Sequence, residues 1–233
     1  MPTWFLTGAS RGIGLESTRQ LLQNPDNTVF ASCRSPSTAS ELQALADTAQ
    51  GTLYIVEIDA ASQESIQRGT AEVLELLDGR GLDYTFNNAA MNVGGDVAFD
   101  FDPQDLRTTM ELNVIGPALI SRYLLPAIEK SDRRVIMNMT TGLASIASDH
   151  GPKCASYSIS KAAVNMLTYK QSRERPDIIA FVVDPGWVKT TMGGEGAMLE
   201  VEDAVASVLS VIQNARPEHS GKFLNRLGSE IPW

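Results

Sequence analysis

The sequence predicts a doubly wound α/β fold: one Rossmann-type domain spanning 1–233, with a parallel sheet of about seven strands and helices on both faces. Three observations lead there. Short apolar runs alternate with amphipathic stretches along the chain, the pattern of repeated strand–helix–strand units. The runs are apolar throughout rather than at every second residue, as in strands buried on both faces. The first run also feeds a glycine-bearing turn that opens a helix, the usual entry to a nucleotide-binding sheet.

Taken in order, Trp4–Leu6 is a strand that runs into glycines at 8, 12 and 14, and Ile13–Gln23 then has the spacing of an amphipathic helix. Thr28–Ser32 is a second strand, Ser40–Ala49 a helix, Leu53–Ile58 a third strand, and Glu64–Leu77 a longer helix with one apolar side. Leu82–Phe86 and Arg134–Met139 are further strands, separated by helical sequence around Asp105–Ile128. Tyr157–Gln171 is a helix leading to the apolar run Ile178–Val183. Right-handed crossovers between these strands place helices on both faces. The Gly/Pro-rich pieces at 92–96 and 185–196 fall between elements and read as functional loops, because open sheets of this kind bind ligands beyond the carboxyl ends of their strands.

With 233 residues and 43% hydrophobic content, the chain is long enough for one buried core and too short for two domains with separate functions. A net charge of -9 disfavours nucleic acid and anionic membranes as partners. No run reaches the roughly 18 apolar residues of a membrane span, and MPTWFLTGAS lacks a cationic region followed by a long apolar stretch, so a cytoplasmic protein is expected. Cys33 and Cys154 have no metal-ligand spacing, and neither His150 nor His219 sits in a triad or ligand motif. No metal site is expected, and Cys154 reads as small filler rather than a nucleophile.

Two patterns carry chemistry. TGASRGIG at Thr7–Gly14 lets backbone amides approach a pyrophosphate at a helix amino terminus, with Gly8, Gly12 and Gly14 permitting the approach. Tyr157 and Lys161 lie four apart on a helix, so both project from one face. A nearby ammonium favours phenolate, so Lys161 is expected to draw the Tyr157 phenol towards useful acid/base behaviour.

Together TGASRGIG, NNAA at Asn87–Ala90, Asn113 and YSISK at Tyr157–Lys161 resemble the short-chain dehydrogenase/reductase superfamily, in family order over nearly the whole chain. PGWVKT at Pro185–Thr190 resembles the family's segment beside the nicotinamide, and the ending GKFLNRLGSEIPW is similar to its carbonyl-reductase-like and C-factor-like branch. NNAAM, DPGWVKTTMGGEGA and IPW further resemble fungal polyketide ketoreductases acting on aromatic substrates.

The resemblance implies an NADPH-dependent reductase of a ketone or aldehyde, with hydride from the nicotinamide, a proton from Tyr157, ribose binding by Lys161, and Asn113 helping to hold a water relay to the lysine. Cofactor contacts are expected from Gly8, Ser10, Arg11, Gly12, Ile13, Arg34, Asp59, Asn88, Ala89, Tyr157, Lys161, Pro185, Gly186, Val188 and Thr190. NADPH is preferred over NADH because Cys33 stands where an acidic residue would bind the ribose hydroxyls, while Arg34 and Arg11 could surround a 2′-phosphate. Asp59 matches the family's adenine-side carboxylate, and a helix N-cap explains it equally.

Two features depart from the family, at three positions. Thr140 and Thr141 replace paired serines, with Thr141 the expected substrate-binding hydroxyl and Ser145 the alternative; the extra methyl of threonine stiffens χ1. Ala90 stands where glycine is usual, so the backbone there must tolerate a Cβ. Thr191–Asp203 sits at the place of a mobile substrate lid, with Met192, Met198 and Leu199 suiting an apolar or aromatic carbonyl substrate. A homodimer or homotetramer is implied, packed through helices containing Leu112–Leu125 and Tyr157–Gln171. Two other functions use the same residues: an NADP(H)-binding regulatory or sensor protein with little turnover, and a dehydratase or epimerase.

Overall fold

A computed structural model describes residues 1–233. Seven strands form one sheet: β1 (Thr3–Thr7), β2 (Thr28–Cys33), β3 (Thr52–Glu57), β4 (Tyr84–Asn87), β5 (Val135–Met139), β6 (Ile179–Asp184) and β7 (Phe223–Asn225). They lie in the order β3-β2-β1-β4-β5-β6-β7, every neighbouring pair parallel. The chain runs outward from β1 to β3, then returns to pair β4 with the other side of β1 (Trp4 opposite Tyr84, Phe5 opposite Thr85). That reversal opens a crevice beyond the carboxyl ends of β1 and β4, where ligands of open sheets bind.

The helices are α1 (Gly12–Leu21), α2 (Ser40–Ala44), α3 (Gln63–Leu77), α4 (Pro103–Met110), α5 (Gly116–Ile128), α6 (Ala155–Glu174) and α7 (Val201–Gln213). Alternation along β1 divides the core: Trp4 and Leu6 join a cluster with Leu21, Leu42, Val208 and Ile212, so α1, α2 and α7 cover that face. Phe5 points the other way, into a cluster with Ile66, Val73, Leu77, Leu124 and Ile128 of α3 and α5. On this second side, Val164 of α6 meets Val182 and Phe223. Full burial of each such Leu, Ile, Val or Phe contributes about 1.5–3 kcal/mol, enough for both faces to bind their helices firmly.

A polar seam crosses this second face. Asn87 and Asn138 stand opposite each other on β4 and β5, and Asn87 Nδ2 donates to Asn138 Oδ1 at 2.8 Å. Asn138 in turn donates to Thr168 Oγ1 on α6 at 2.8 Å, and Asn87 to Ser121 Oγ on α5 at 3.3 Å. Buried amides left without partners would be costly, so the seam fixes how α5 and α6 sit on the sheet ends.

The expected order of elements is observed, with four corrections. The helix expected over Ser40–Ala49 ends at Ala44 and tightens into a 3₁₀ turn at Leu45–Asp47; within α2 only Leu42 is buried and no side chain caps the start. The helical stretch around Asp105–Ile128 is interrupted by a π turn at Glu111–Ile115. Val201–Asp203, read as lid, opens α7, whose buried Ala204, Val205, Val208, Leu209 and Ile212 form one apolar stripe. The seventh strand is Phe223–Asn225, too short for its period to be read. No helix is long and apolar enough to cross a membrane.

Candidate active site

The glycine turn is built by exclusion of side chains. Gly8 has φ +70°, and a Cβ on it would lie 3.0 Å from Ala89 Cα; a Cβ on Gly14 would lie 2.2 Å from the Gly8 carbonyl oxygen. Asn88 holds this turn across the crevice: its Nδ2 donates to the Thr7 carbonyl at 2.9 Å, while Thr7 Oγ1 accepts from the Asn88 and Ala89 amides at 3.0 and 2.9 Å. Ala90 keeps its Cβ without a positive φ, which explains its tolerance at that position. Arg11 precedes α1 in extended conformation with no side chain capping the helix, leaving the amides of the first turn to an anion.

Beside that turn, Arg11 and Arg34 line one cavity of about 380 Å³ together with Ser10, Ser35, Thr38 and Ser40. Two guanidinium groups ringed by hydroxyls suit a phosphate monoester, and the lone carboxylate on the rim is Glu41. Cys33 is buried at the end of β2, so no acidic group occupies the ribose-facing position. Asp59 does not cap α3: Ser62 does, accepting from the Ser65 amide at 3.2 Å. Asp59 Oδ1 accepts instead from the Ala61 amide at 3.0 Å, fixing the turn after β3.

Tyr157 and Lys161 occupy successive turns of α6, with Lys161 Nζ 5.8 Å from the centre of the Tyr157 ring. Both are buried, at 9% and 2% exposure, and Lys161 Nζ donates to the Met139 carbonyl at the end of β5 at 2.9 Å. The start of α6 is held from a distance. Cys154 has φ 60° and supplies no cap, while Asp96 Oδ2 accepts from the Ser156 amide at 3.0 Å and from Ser156 Oγ at 2.5 Å. Asp96 thus performs the N-cap's work from sixty residues away in sequence, with nothing in a local motif to announce it.

The expected electrostatics of this pair are corrected by the structure. Burial raises the Tyr157 pKa well above its ordinary value, with Asp184 and Cys154 adding to the rise. Lys161 does not pull the phenol down, because its own burial lowers the amine to about 7. The site therefore holds a protonated phenol beside an amine poised near neutrality.

Asn113 lies in the π turn and is fully buried. Its Oδ1 accepts from the Met91 amide and its Nδ2 donates to the Met91 carbonyl, both at 2.9 Å, with a further bond to Ser160 Oγ at 2.9 Å. Its side-chain amide thus ties the loop after β4 to α6. Single π turns displace a helix at functional sites, and this one brings Asn113 inward.

The two candidate hydroxyls, Thr141 and Ser145, separate clearly from each other and from Thr140. Thr140 Oγ1 is buried and donates to Asn165 Oδ1 at 2.7 Å. Ser145 Oγ donates to the Pro232 carbonyl at 2.7 Å and contacts Ser148 Oγ at 3.0 Å, so it anchors the loop. Thr141 Oγ1 only accepts, from the Leu143 amide at 3.4 Å, and its proton stays free to donate.

Across the crevice, Pro185 and Gly186 turn the chain after β6, with Gly186 at φ +78°. Val188 is buried, and the Thr190 methyl lies 3.4 Å from where a Cβ on Gly12 would stand, so this segment packs on the glycine turn. The loop expected to be a mobile lid is bonded to its own root. Met198 and Leu199 amides both donate to the Trp187 carbonyl at 3.1 Å, and Lys189 pairs with Glu200. Trp187 Nε1 reaches the Gly193 carbonyl at 2.7 Å, and its ring lies against Gly196.

The short chain dehydrogenase family model matches residues 3–198. The norsolorinic acid ketoreductase of Aspergillus parasiticus is 30% identical over 245 aligned residues, covering 99% of this chain and 90% of that protein. C-signal of Myxococcus xanthus is 34% identical over 154 residues, 65% of this chain and 93% of its own length. Among solved structures, the NADPH-bound carbonyl reductase from chicken fatty liver superposes with a TM-score of 0.94 at 33% identity, covering 100% of this chain and 94% of that one.

Proposed function

Since this chain belongs to the short chain dehydrogenase family, we infer that it is an NADPH-dependent reductase of a ketone or aldehyde, most suited to apolar or aromatic carbonyl compounds. The observation that carries this reading is the burial of the Tyr157 phenol together with Lys161 on one face of α6, where Lys161 bonds the end of β5. A proton donor to a nascent alkoxide must carry its proton at working pH, and burial of this phenol favours its protonated form.

The residues fit the cofactor. The side-chain-free cradle at Gly8, Gly12 and Gly14 would receive the pyrophosphate, and the Arg11/Arg34 cavity the 2′-phosphate. Ser10, Ile13, Asp59, Asn88, Ala89, Pro185, Gly186, Val188 and Thr190 would line the remainder. When bound, NADPH supplies the hydride that adds to the carbonyl carbon.

The chain's own groups do the rest. Thr141 Oγ donates to the carbonyl oxygen and holds it within reach of Tyr157 Oη, which gives up its proton as negative charge develops. Lys161, with Nζ near half-protonation at neutral pH, binds ribose and resupplies that proton. Asn113 acts as a positioning residue through Met91 and Ser160, because its side chain is already engaged. Met192 and Met198, both exposed beside the crevice loop, provide adaptable apolar surface for the substrate.

The catalytic unit is one domain acting as a homodimer or homotetramer. Ile159, Met166 and Tyr169 form an exposed stripe along α6, and Ile115 adds to it from the π turn, as expected of a helix that packs against a second copy. Two free thiols, Cys33 and Cys154, suit a reducing cytoplasmic setting. The test is consumption of NADPH with a panel of aromatic and aliphatic ketones and aldehydes. Turnover of at least one is expected; tight NADPH binding without turnover across the panel would instead identify a cofactor sensor, and a dehydrated or epimerised product another reaction on the same site.

A further inference from the structure

Asp184 ends β6 and has no role among the cofactor and substrate groups assigned above, yet it lies between both loops that flank the crevice. Its Oδ1 accepts from the Gly186 amide at 3.0 Å, across the Pro185 turn. Its Oδ2 faces Gly142, where a Cβ would lie 3.4 Å from that oxygen and 3.3 Å from His150 Nε2. The Gly142 amide also favours the charged carboxylate, as does the His150 imidazole from the loop between β5 and α6. Gly142 directly follows Thr141, and Gly186 lies in the turn expected beside the nicotinamide. A single half-buried carboxylate, with lone pairs enough for several donors, thus sits between the two sides of the reaction centre.

We propose that Asp184 is a positioning residue that straps the Thr141 loop to the Pro185–Gly186 turn, with His150 as its third arm. The strap sets the distance between the hydroxyl that orients the carbonyl oxygen and the segment that seats the cofactor; it rests on the reductase reading given above. Burial raises the Asp184 pKa, while the two glycine amides and His150 oppose that rise. The Tyr157 phenol is a further titratable group that senses this carboxylate, whose charge adds to the rise in the phenol's pKa. The charge is therefore sensed on both loops at once.

Two measurements test the strap, and the first needs neither cofactor nor substrate. In the full chain carrying ¹⁵N-glycine, the Gly142 and Gly186 amide resonances should shift with pH at one shared midpoint. That transition should persist in His150→Gln and vanish in Asp184→Asn; separate midpoints, or survival of the transition in Asp184→Asn, overturn the proposal. In turnover, Asp184→Ala should lower kcat about tenfold with KM for the carbonyl little changed, and Asp184→Asn, which keeps an acceptor for Gly186, should recover to within about threefold of wild type. An Asp184→Ala effect confined to KM, or no rescue by asparagine, also overturns it. Should Asp184→Ala fail to fold, the asparagine variant and the amide titration still decide. If the amides titrate together while wild type reduces nothing in the panel, the strap stands and the reductase reading falls.

Discussion

The glycine turn and the helix carrying Tyr157 face the same crevice but are built on opposite principles. The turn is shaped by atoms that are missing: a Cβ on Gly14 would be 2.2 Å from a carbonyl oxygen, and the backbone closes into the space so left. The helix is shaped by groups that are buried at a cost, with Lys161 at 2% and Tyr157 at 9% exposure. The first kind of site is insensitive to pH and intolerant of any added atom. The second tolerates isosteric change in shape but depends on protonation state, so the two should fail in different ways when perturbed.

The largest separation should come from Tyr157→Phe. Removing one hydroxyl should lower kcat by about 10²–10⁴-fold, the usual range for loss of a general acid, while NADPH affinity measured by fluorescence titration stays at the wild-type value. Retention of the parental rate would remove Tyr157 from the chemistry.

Next in size is a pH effect on stability that only the buried helix should show. The unfolded chain keeps the Lys161 proton up to the ordinary 10.5, whereas the folded amine releases it at about 7. Between those values the unfolded state binds more protons, so stability rises with pH across this window, and below about 7 the cost of the buried charge is felt in full. Urea midpoints should reveal a few kcal/mol of slope from this one residue, and Lys161→Met should flatten it. An unchanged slope in that variant would show that the amine is not desolvated.

For the turn, Gly14→Ala should destabilise the fold by about 1–3 kcal/mol through overpacking, equally at every pH, and should weaken both NADPH and NADH. A pH-dependent loss would blur the distinction between the two regions. The smallest effect is expected of Arg34→Ala, at the edge of the turn's cavity. NADPH should bind about tenfold more weakly with NADH little altered, since one of two guanidinium partners of the phosphate is lost. Equal weakening of both cofactors would refute the phosphate role.

The same contrast decides what could be read from sequence. Glycines at 8, 12 and 14 and the Tyr157–Lys161 spacing are local patterns, and a parallel sheet covered on both faces follows from alternating elements once crossovers are right-handed. What escaped was set by contacts distant in sequence. Asp96 caps α6 from another loop, Asn113 spends its amide on Met91, and Ser145 is tied to Pro232. None of these has a periodicity or a neighbour that marks it. The electrostatic expectation for Tyr157 departs for the same reason: proximity of an ammonium is visible in a four-residue spacing, but the burial that raises the phenol and lowers the amine is not. Helix α7 is the exception, since its apolar stripe was present in the sequence and was obscured by glycines just before it.

The placement of Trp187 gives the molecule an optical gauge of its own. Its indole is half exposed and bonded to Gly193, whereas Trp4 is sealed in the core and stacked on Tyr84. Any opening of the 193–198 segment transfers the outer indole to water and reddens its emission against a constant inner signal. Trp233, 42% exposed and packed on Phe223, adds a third signal that lies outside this segment.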